Sequence, residues 1–435
     1  MPASHTAEPS NYYRASANAA PSRPALTGTR SARICVVGAG FAGLNTAFGL
    51  AERGLSDVVV LEANAIAHGA SGRNGGFVFA GFSRGEAALL RELGPETARR
   101  HYLGTVAAVE LIRARIRTLG IDCAACEHGV IWANWFRDPE VLRVRQRLLA
   151  EQFGQDWQWL EAARLRELIA SDRYSDGLWE RNAFHMHPLN YALGIAEAAA
   201  RMGVTLHEHS PAIRLVRAGA GWRVETADGC VEAEQVVLAC GGYLAGLRRR
   251  VDAGVLPVAT YVMVTEPLGP RLAAVMTTQA AVYDTRFAFD YYRPLPDSRL
   301  LWGGRISVLD RSPAALERLL RRDLSKVFPS LAEVAVEHAW SGLMSYARHE
   351  MPQLGEIEPG LWLAQAFGGH GVAPTTYAGE LIASAIAEGD RRWRDLDRYG
   401  LVSAYKPLGY LAAQINYHWL QARDAWKDWR ERRQH

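Results

Sequence analysis

Arg33-Ile34-Cys35-Val36-Val37 runs into Gly38-Ala39-Gly40-Phe41-Ala42-Gly43, and after a helical stretch Val58-Val59-Val60-Leu61 ends on Glu62. An apolar run followed by glycines and a helix reads as a strand-turn-helix-strand unit. In such a unit Gly38 makes the tight turn, Gly40 admits a pyrophosphate against bare backbone, and Gly43 lets helix and strand pack closely. Glu62 follows the last glycine at the roughly 20-residue spacing of an acceptor for a ribose 2′-hydroxyl. The helix N-terminus offers its free N–H groups and positive dipole end to phosphate. The stretch predicts a dinucleotide site in a Rossmann-like α/β domain.

Working outward, His68-Gly-Ala-Ser-Gly-Arg-Asn-Gly-Gly76 is a second glycine-rich loop a few residues beyond Glu62 and Ala63. Its small residues allow backbone to run along an extended cofactor, while Ser71, Arg73 and Asn74 supply donors. Gly221 to Ala233 has strand, Asp-Gly turn, strand character. It leads into Gln235-Val-Val-Leu-Ala-Cys-Gly-Gly242, read as a buried parallel strand opening on a ligand crevice. Leu361 to Phe367, then Gly368-Gly-His-Gly-Val372 and an apolar helix, form another strand-glycine-helix junction. The nucleotide domain is therefore discontinuous.

The 435 residues suggest two or three domains. With Lys+Arg 49 against Asp+Glu 46, a net charge of +3 calls for neither nucleic acid nor an acidic membrane surface. Only Lys326, Lys406 and Lys427 are lysines. Five cysteines, at 35, 123, 126, 230 and 240, form no secreted framework, and Cys123-Ala-Ala-Cys126 lacks companions at zinc spacing, so no metal site is expected. Residues 1–26 are polar without an apolar h-region, and no segment approaches a spanning helix. A cytoplasmic enzyme that uses no membrane is expected, its oligomeric state open.

Charged helical periodicity over 85–119 and 139–169 brackets a strand near Gly129 to Trp135. His187-Pro188 caps a helix. Aromatic and β-branched segments at 260–265, 287–293 and 299–304 predict an antiparallel sheet. The expected division is an extended arm over 1–30, a nucleotide domain over 31–110, 186–250 and 340–395, a substrate domain over 111–185 and 251–339, and a helical extension over 396–435. In that extension Leu408, Ile415, Trp419, Trp426 and Trp429 lie near one helical face, predicted to pack on the body or on another subunit.

Together these residues resemble the D-amino-acid-oxidase-like (DAO) class of FAD-dependent amine and amino-acid oxidoreductases. The 69–76 run, Tyr12-Tyr13, Tyr261 to Leu268 and Gly369-His-Gly371 are most similar to its γ-glutamylputrescine oxidoreductase branch. The resemblance implies a Rossmann-like FAD-binding domain (GR2/DAO type) interleaved with an antiparallel-sheet substrate domain. It implies FAD lying extended, with AMP over Gly38 to Gly43 (Phe41 and Ala42 included), Glu62 and Ala63, and pyrophosphate and ribitol beside Ser71, Arg73, Asn74, Gly75 and Gly76. Ala212 would flank adenine, Ala239 to Gly241 the dinucleotide, and Gly369, His370, Gly371 and Val372 the flavin pyrimidine. Relatives that attach flavin through cysteine do so in the region matching Met344 to Pro352, which has none, so non-covalent FAD is expected.

In the α-amino-acid oxidases of this class an arginine follows Trp-x-Gly-Leu and clamps the substrate carboxylate; here the motif reads Trp340-Ser-Gly-Leu-Met344. A methionine makes no bidentate carboxylate pair. The expected substrate is an amine with any carboxylate remote from the oxidised carbon, although Arg293, Arg305 or Arg348 could supply charge. Hydride would pass from the amine-bearing carbon to flavin N5, and the imine would hydrolyse to aldehyde and ammonia. Tyr261, Asp284, Tyr292, Trp340 and His370 are the expected lining groups. Oxygen or another acceptor would reoxidise the flavin. The alternatives are a secondary amine or an imino or amino acid (sarcosine, pipecolate, glycine type) as substrate, and a non-catalytic flavin-binding subunit.

Overall fold

The computed structural model describes residues 11–308 and 312–433. Gly28–Val37 is a strand, Phe41–Glu52 a helix and Val58–Leu61 the next strand, and the two strands pair in parallel with Ile34 opposite Val58. Gly38 has φ +106°, and a Cβ on it would stand 2.7 Å from the Ala239 carbonyl oxygen. A Cβ on Gly43 would stand 1.9 Å from the Gly38 oxygen. Turn and helix packing both demand bare backbone here.

Five parallel strands lie in the order Leu361–Gln365, Gly229–Leu238, Gly28–Val37, Val58–Leu61, Thr205–His207, with Gln353–Glu358 antiparallel at one edge. Helices Phe41–Glu52, Val372–Glu388 and Pro188–Arg201 cover one face. Cys35, Val37, Val59 and Leu61 alternate onto the other, where Trp222 and Val224 of the hairpin strand Gly221–Glu225 cover part of them. Burial on both faces is why these strands read as unbroken apolar runs. The third helix begins as its sequence predicts, with the His187 side chain accepting the Asn190 N–H.

Among the described residues the second sheet holds eight strands in the order Val336–Tyr346, Leu256–Thr265, Leu300–Ser307, Asp290–Pro294, Ala281–Asp284, Val130–Ala133, Gly177–Glu180, Gln158–Leu160. Neighbours are antiparallel except Ala281–Asp284 and Val130–Ala133, which run parallel. Those two are far apart in the chain, so no hairpin constrains their direction. Helix Pro313–Val327 packs Leu320 and Leu324 against one face of this sheet, on Tyr261, Met263, Tyr292 and Trp302.

The described part of the N-terminal arm opens with a helical turn, Tyr12–Ala15, rather than an extended chain, because the Asn11 side chain caps it and Tyr13 is fully buried. Residues 340–346 lie in the second sheet, paired with Leu256–Thr265. The chain ends in the helix Leu408–Arg433. Among the described residues no helix is long and apolar enough to cross a membrane.

Candidate active site

The carboxyl ends of the parallel strands and one face of the second sheet enclose a cavity of about 850 Å³. At one end lie Gly38, Gly40, Phe41, Ala42, Glu62, Ala63, Ala212, Ala239 and Gly241, all lining it. The Glu62 carboxylate accepts the Ala39 N–H at 2.9 Å and the Asn64 N–H at 3.0 Å. Burial raises its pKa above the usual carboxylate range. Ser71 Oγ accepts the Phe41 N–H at 2.9 Å, which puts a hydroxyl on the first turn of the helix Phe41–Glu52.

Ser71, Arg73, Asn74 and Gly75 line the middle of the cavity. Two of these side chains brace their own loop: Arg73 Nε donates to the His68 carbonyl at 2.6 Å, and Asn74 Nδ2 donates to Ala70 and Ser71. Gly43 and Gly76 do not line the cavity. Gly43 is spent on the helix contact described above. Gly76 turns at φ +79° against the Met186 carbonyl, which a Cβ would approach to 2.1 Å.

At the far end Gly369, His370, Gly371 and Val372 line the cavity at the N-terminus of the 17-residue helix Val372–Glu388. The His370 ring lies 4.1 Å from Phe79, and burial depresses its pKa to about 4, so it is neutral. Its Nε2 is buried and has no hydrogen-bond partner among the described residues. Two helix N-termini facing one cavity, a carboxylate with spare lone pairs and this unpartnered nitrogen fit an extended dinucleotide with a flavin head. Met344 lies beside them, its sulfur 3.4 Å from where a Gly369 Cβ would stand.

Three expected lining groups are elsewhere. Leu256, Val258 and Thr260 face the cavity, so alternation sends Tyr261 into the core behind the sheet. Tyr292 is there too, stacked on Trp302 at 4.6 Å. Trp340 shares the face of Met344 but sits beneath the glycine-rich loop of residues 69–76, its indole N–H donating to the Arg73 carbonyl at 2.9 Å. Asp284 lines the cavity, yet its carboxylate is saturated by Arg286 Nε and Nη2 and by the backbone N–H groups of Arg286 and Asp290.

Of the three arginines expected to offer charge, Arg293 does not line the cavity; it is bound to Gly75, His185, Tyr13 and Met186. Arg305 lines it but is held by both oxygens of Asp323. Arg348 lies at the rim over Tyr405. A further arginine lines the cavity toward His370: Arg145, which the sequence hides in a charged helix, Glu140–Phe153. Arg145 donates to Glu86 at 2.6 Å and lies 4.5 Å from the Trp132 ring; Trp132, Tyr283 and Phe79 form a stacked wall from it to His370.

Residues 33–385 match the family described as FAD dependent oxidoreductase. The chain belongs to that family. FAD is its cofactor, and it is an oxidoreductase of the amine and amino-acid class. Within the family it is 36% identical over 385 residues to the gamma-glutamylputrescine oxidoreductase of Escherichia coli K12, covering 88% of this chain and 89% of that protein. It is 32% identical over 425 residues to the probable oxidoreductase OrdL of Haemophilus influenzae, covering 96% of this chain and 97% of the relative. The glycine oxidase structure from Geobacillus kaustophilus superposes with a TM-score of 0.72 at 22% identity, over 86% of this chain and 98% of that one. The family's fold is thus this fold.

Proposed function

We propose that this oxidoreductase acts on a primary amine whose carboxylate, if it has one, lies away from the carbon that is oxidised, in the manner of a γ-glutamylated diamine. The observation that carries this reading is Met344, a thioether standing beside Gly369 where a carboxylate clamp would need a guanidinium. The similarity to gamma-glutamylputrescine oxidoreductase supports it. FAD, when bound, supplies the two-electron acceptor. The aromatic wall of Phe79, Tyr283 and Trp132 excludes water and takes an aliphatic chain, and neutral His370 adds no charge that would repel an amine. The amine leaves as an imine, which water converts to aldehyde and ammonia. Oxygen is the proposed acceptor, and the FAD dissociable: Cys240 lies at the nucleotide end with its thiol on the Val37 carbonyl. All five cysteines are unpaired, which supports a reducing, cytoplasmic setting.

Arg145 favours a second reading, in which its guanidinium exchanges Glu86 for the carboxylate of a small imino or amino acid. Anaerobic mixing with a substrate panel separates the two. Primary amines and γ-glutamylated amines should bleach the flavin fastest. α-Amino acids should lag by a thousandfold or so, since burying an unpaired carboxylate costs several kcal/mol, at about 1.4 kcal/mol per factor of ten. If glycine, a D-amino acid or pipecolate reduces the flavin faster than every amine, and Arg145→Met removes that activity, the second reading replaces the first.

A further inference from the structure

The C-terminal helix Leu408–Arg433 is seated with its polar side inward. Gln414 accepts the Val308 N–H, Tyr417 the Ile306 N–H, Asp424 the Phe287 N–H and Glu431 the Arg137 N–H. Its apolar side faces water. Leu408, Leu411, Ile415, Trp419, Trp426 and Trp429 recur at spacings of three, four or seven, and each exposes between 51% and 71% of its surface. A surface helix normally has the opposite arrangement. The three indoles alone keep on the order of 400 Å² in water, and the whole stripe on the order of 700 Å², above the typical largest patch of a monomer.

We propose that a second copy of this chain covers the stripe, the two helices pairing antiparallel about a two-fold axis near Trp419 and Ala422. Such a pair buries about 1,400 Å² in total, within the range of ~1,200–2,000 Å² of stable interfaces. Residues 408–421 carry no Asp, Glu, Lys or Arg, whereas 422–433 carry five basic residues against three acidic ones. Antiparallel pairing lays the neutral half on the cationic half; parallel pairing would set the cationic ends side by side. It also sets Trp419 against the small Ala422, large on small. A helix lying on a membrane would want cations along its whole polar face, and the first half has none. The same helix walls the cavity through Gln414 and Tyr417, so the contact holds one side of the site in place.

The test is light scattering and sedimentation on the FAD-loaded full chain at micromolar concentration. The expected mass is twice the 47.9 kDa of the chain. Trp419→Glu with Trp426→Glu should halve it while the flavin spectrum, a report of the fold, stays unchanged. Oxidation should cross-link Ala422→Cys into dimers and leave Leu408→Cys monomeric. A monomeric wild type, a double variant that stays dimeric, or cross-linking through Leu408→Cys instead of Ala422→Cys would each overturn the proposal. So would a wild type that is monomeric in buffer and floats with phosphatidylglycerol vesicles, which would assign the stripe to lipid.

Discussion

Glu62 holds the backbone on both sides of itself, accepting from Ala39 and Asn64, and keeps lone pairs toward the cavity. Glu62→Gln removes a charged acceptor, and loss of about 1.5–3 kcal/mol of FAD binding is expected in a titration of apoprotein followed by flavin fluorescence. Unchanged affinity would remove the ribose role. Glu180 presents a different electrostatic problem. It is buried, its Oε2 has no hydrogen-bond partner among the described residues, and burial raises its pKa to about 8 although Arg145 opposes the shift. Unfolded, it ionises near 4.3, so between there and about pH 8 the folded state holds a proton that the unfolded state has lost. Stability therefore falls as pH rises through that window. Glu180→Gln, neutral at every pH, should flatten this slope in urea melts at pH 5 to 8 and stabilise the chain most at the upper end. A variant with the parent's pH slope would show that Glu180 ionises freely when folded.

Two helices present their N-termini to the cavity, and their mutual packing sets where those ends point. A Cβ on Gly379 would stand 2.7 Å from the Asn45 Cβ, so Val372–Glu388 and Phe41–Glu52 touch nearly backbone to backbone. Gly379→Leu should force them apart at about 1–3 kcal/mol or more, lowering Tm and FAD affinity together. Gly389→Asn, in the left-handed position that ends the same helix with open space around it, should leave both unchanged. Equal behaviour of the two variants would mean that this contact does not position the site. Strand faces behave in the same way: one residue of register decides whether Tyr261 or Thr260 meets the cavity.

For the whole molecule, Arg293 is the side chain that ties the parts together. From the second sheet it donates to Gly75 of the glycine-rich loop, Tyr13 of the arm and Met186 ahead of the capped helix, and it pairs with His185. Arg293→Met leaves several buried acceptors unpaired at about 1–3 kcal/mol each. The arm should then become cleavable by limited proteolysis and the flavin should be lost at a lower temperature. Arg271→Met, at a half-exposed pair with Glu266, is the control and should do little. Loss of flavin without exposure of the arm would confine the role of Arg293 to the loop.

The strand-turn-helix-strand unit was legible because its constraints are local. Turn, strand, helix and acidic residue lie within 30 residues, and each needs a particular residue type for a steric or electrostatic reason that holds in any fold. The departure at Met344 was legible for the same reason, since it stands within a short motif. What lines the rest of the cavity was not. Arg145 and Glu86 sit on separate helices that read as solvated charge, and only their approach across the fold makes them a pair on the cavity wall. Tyr261, Tyr292 and Trp340 look like site aromatics in any local window, but the pleat and the packing of Pro313–Val327 and the arm turn them into core. The C-terminal stripe has the periodicity of a packed face, and the tertiary structure leaves it in water because the polar side of that helix found the better partners. Local sterics are written in the sequence; which face meets what is decided by contacts between residues distant in the chain.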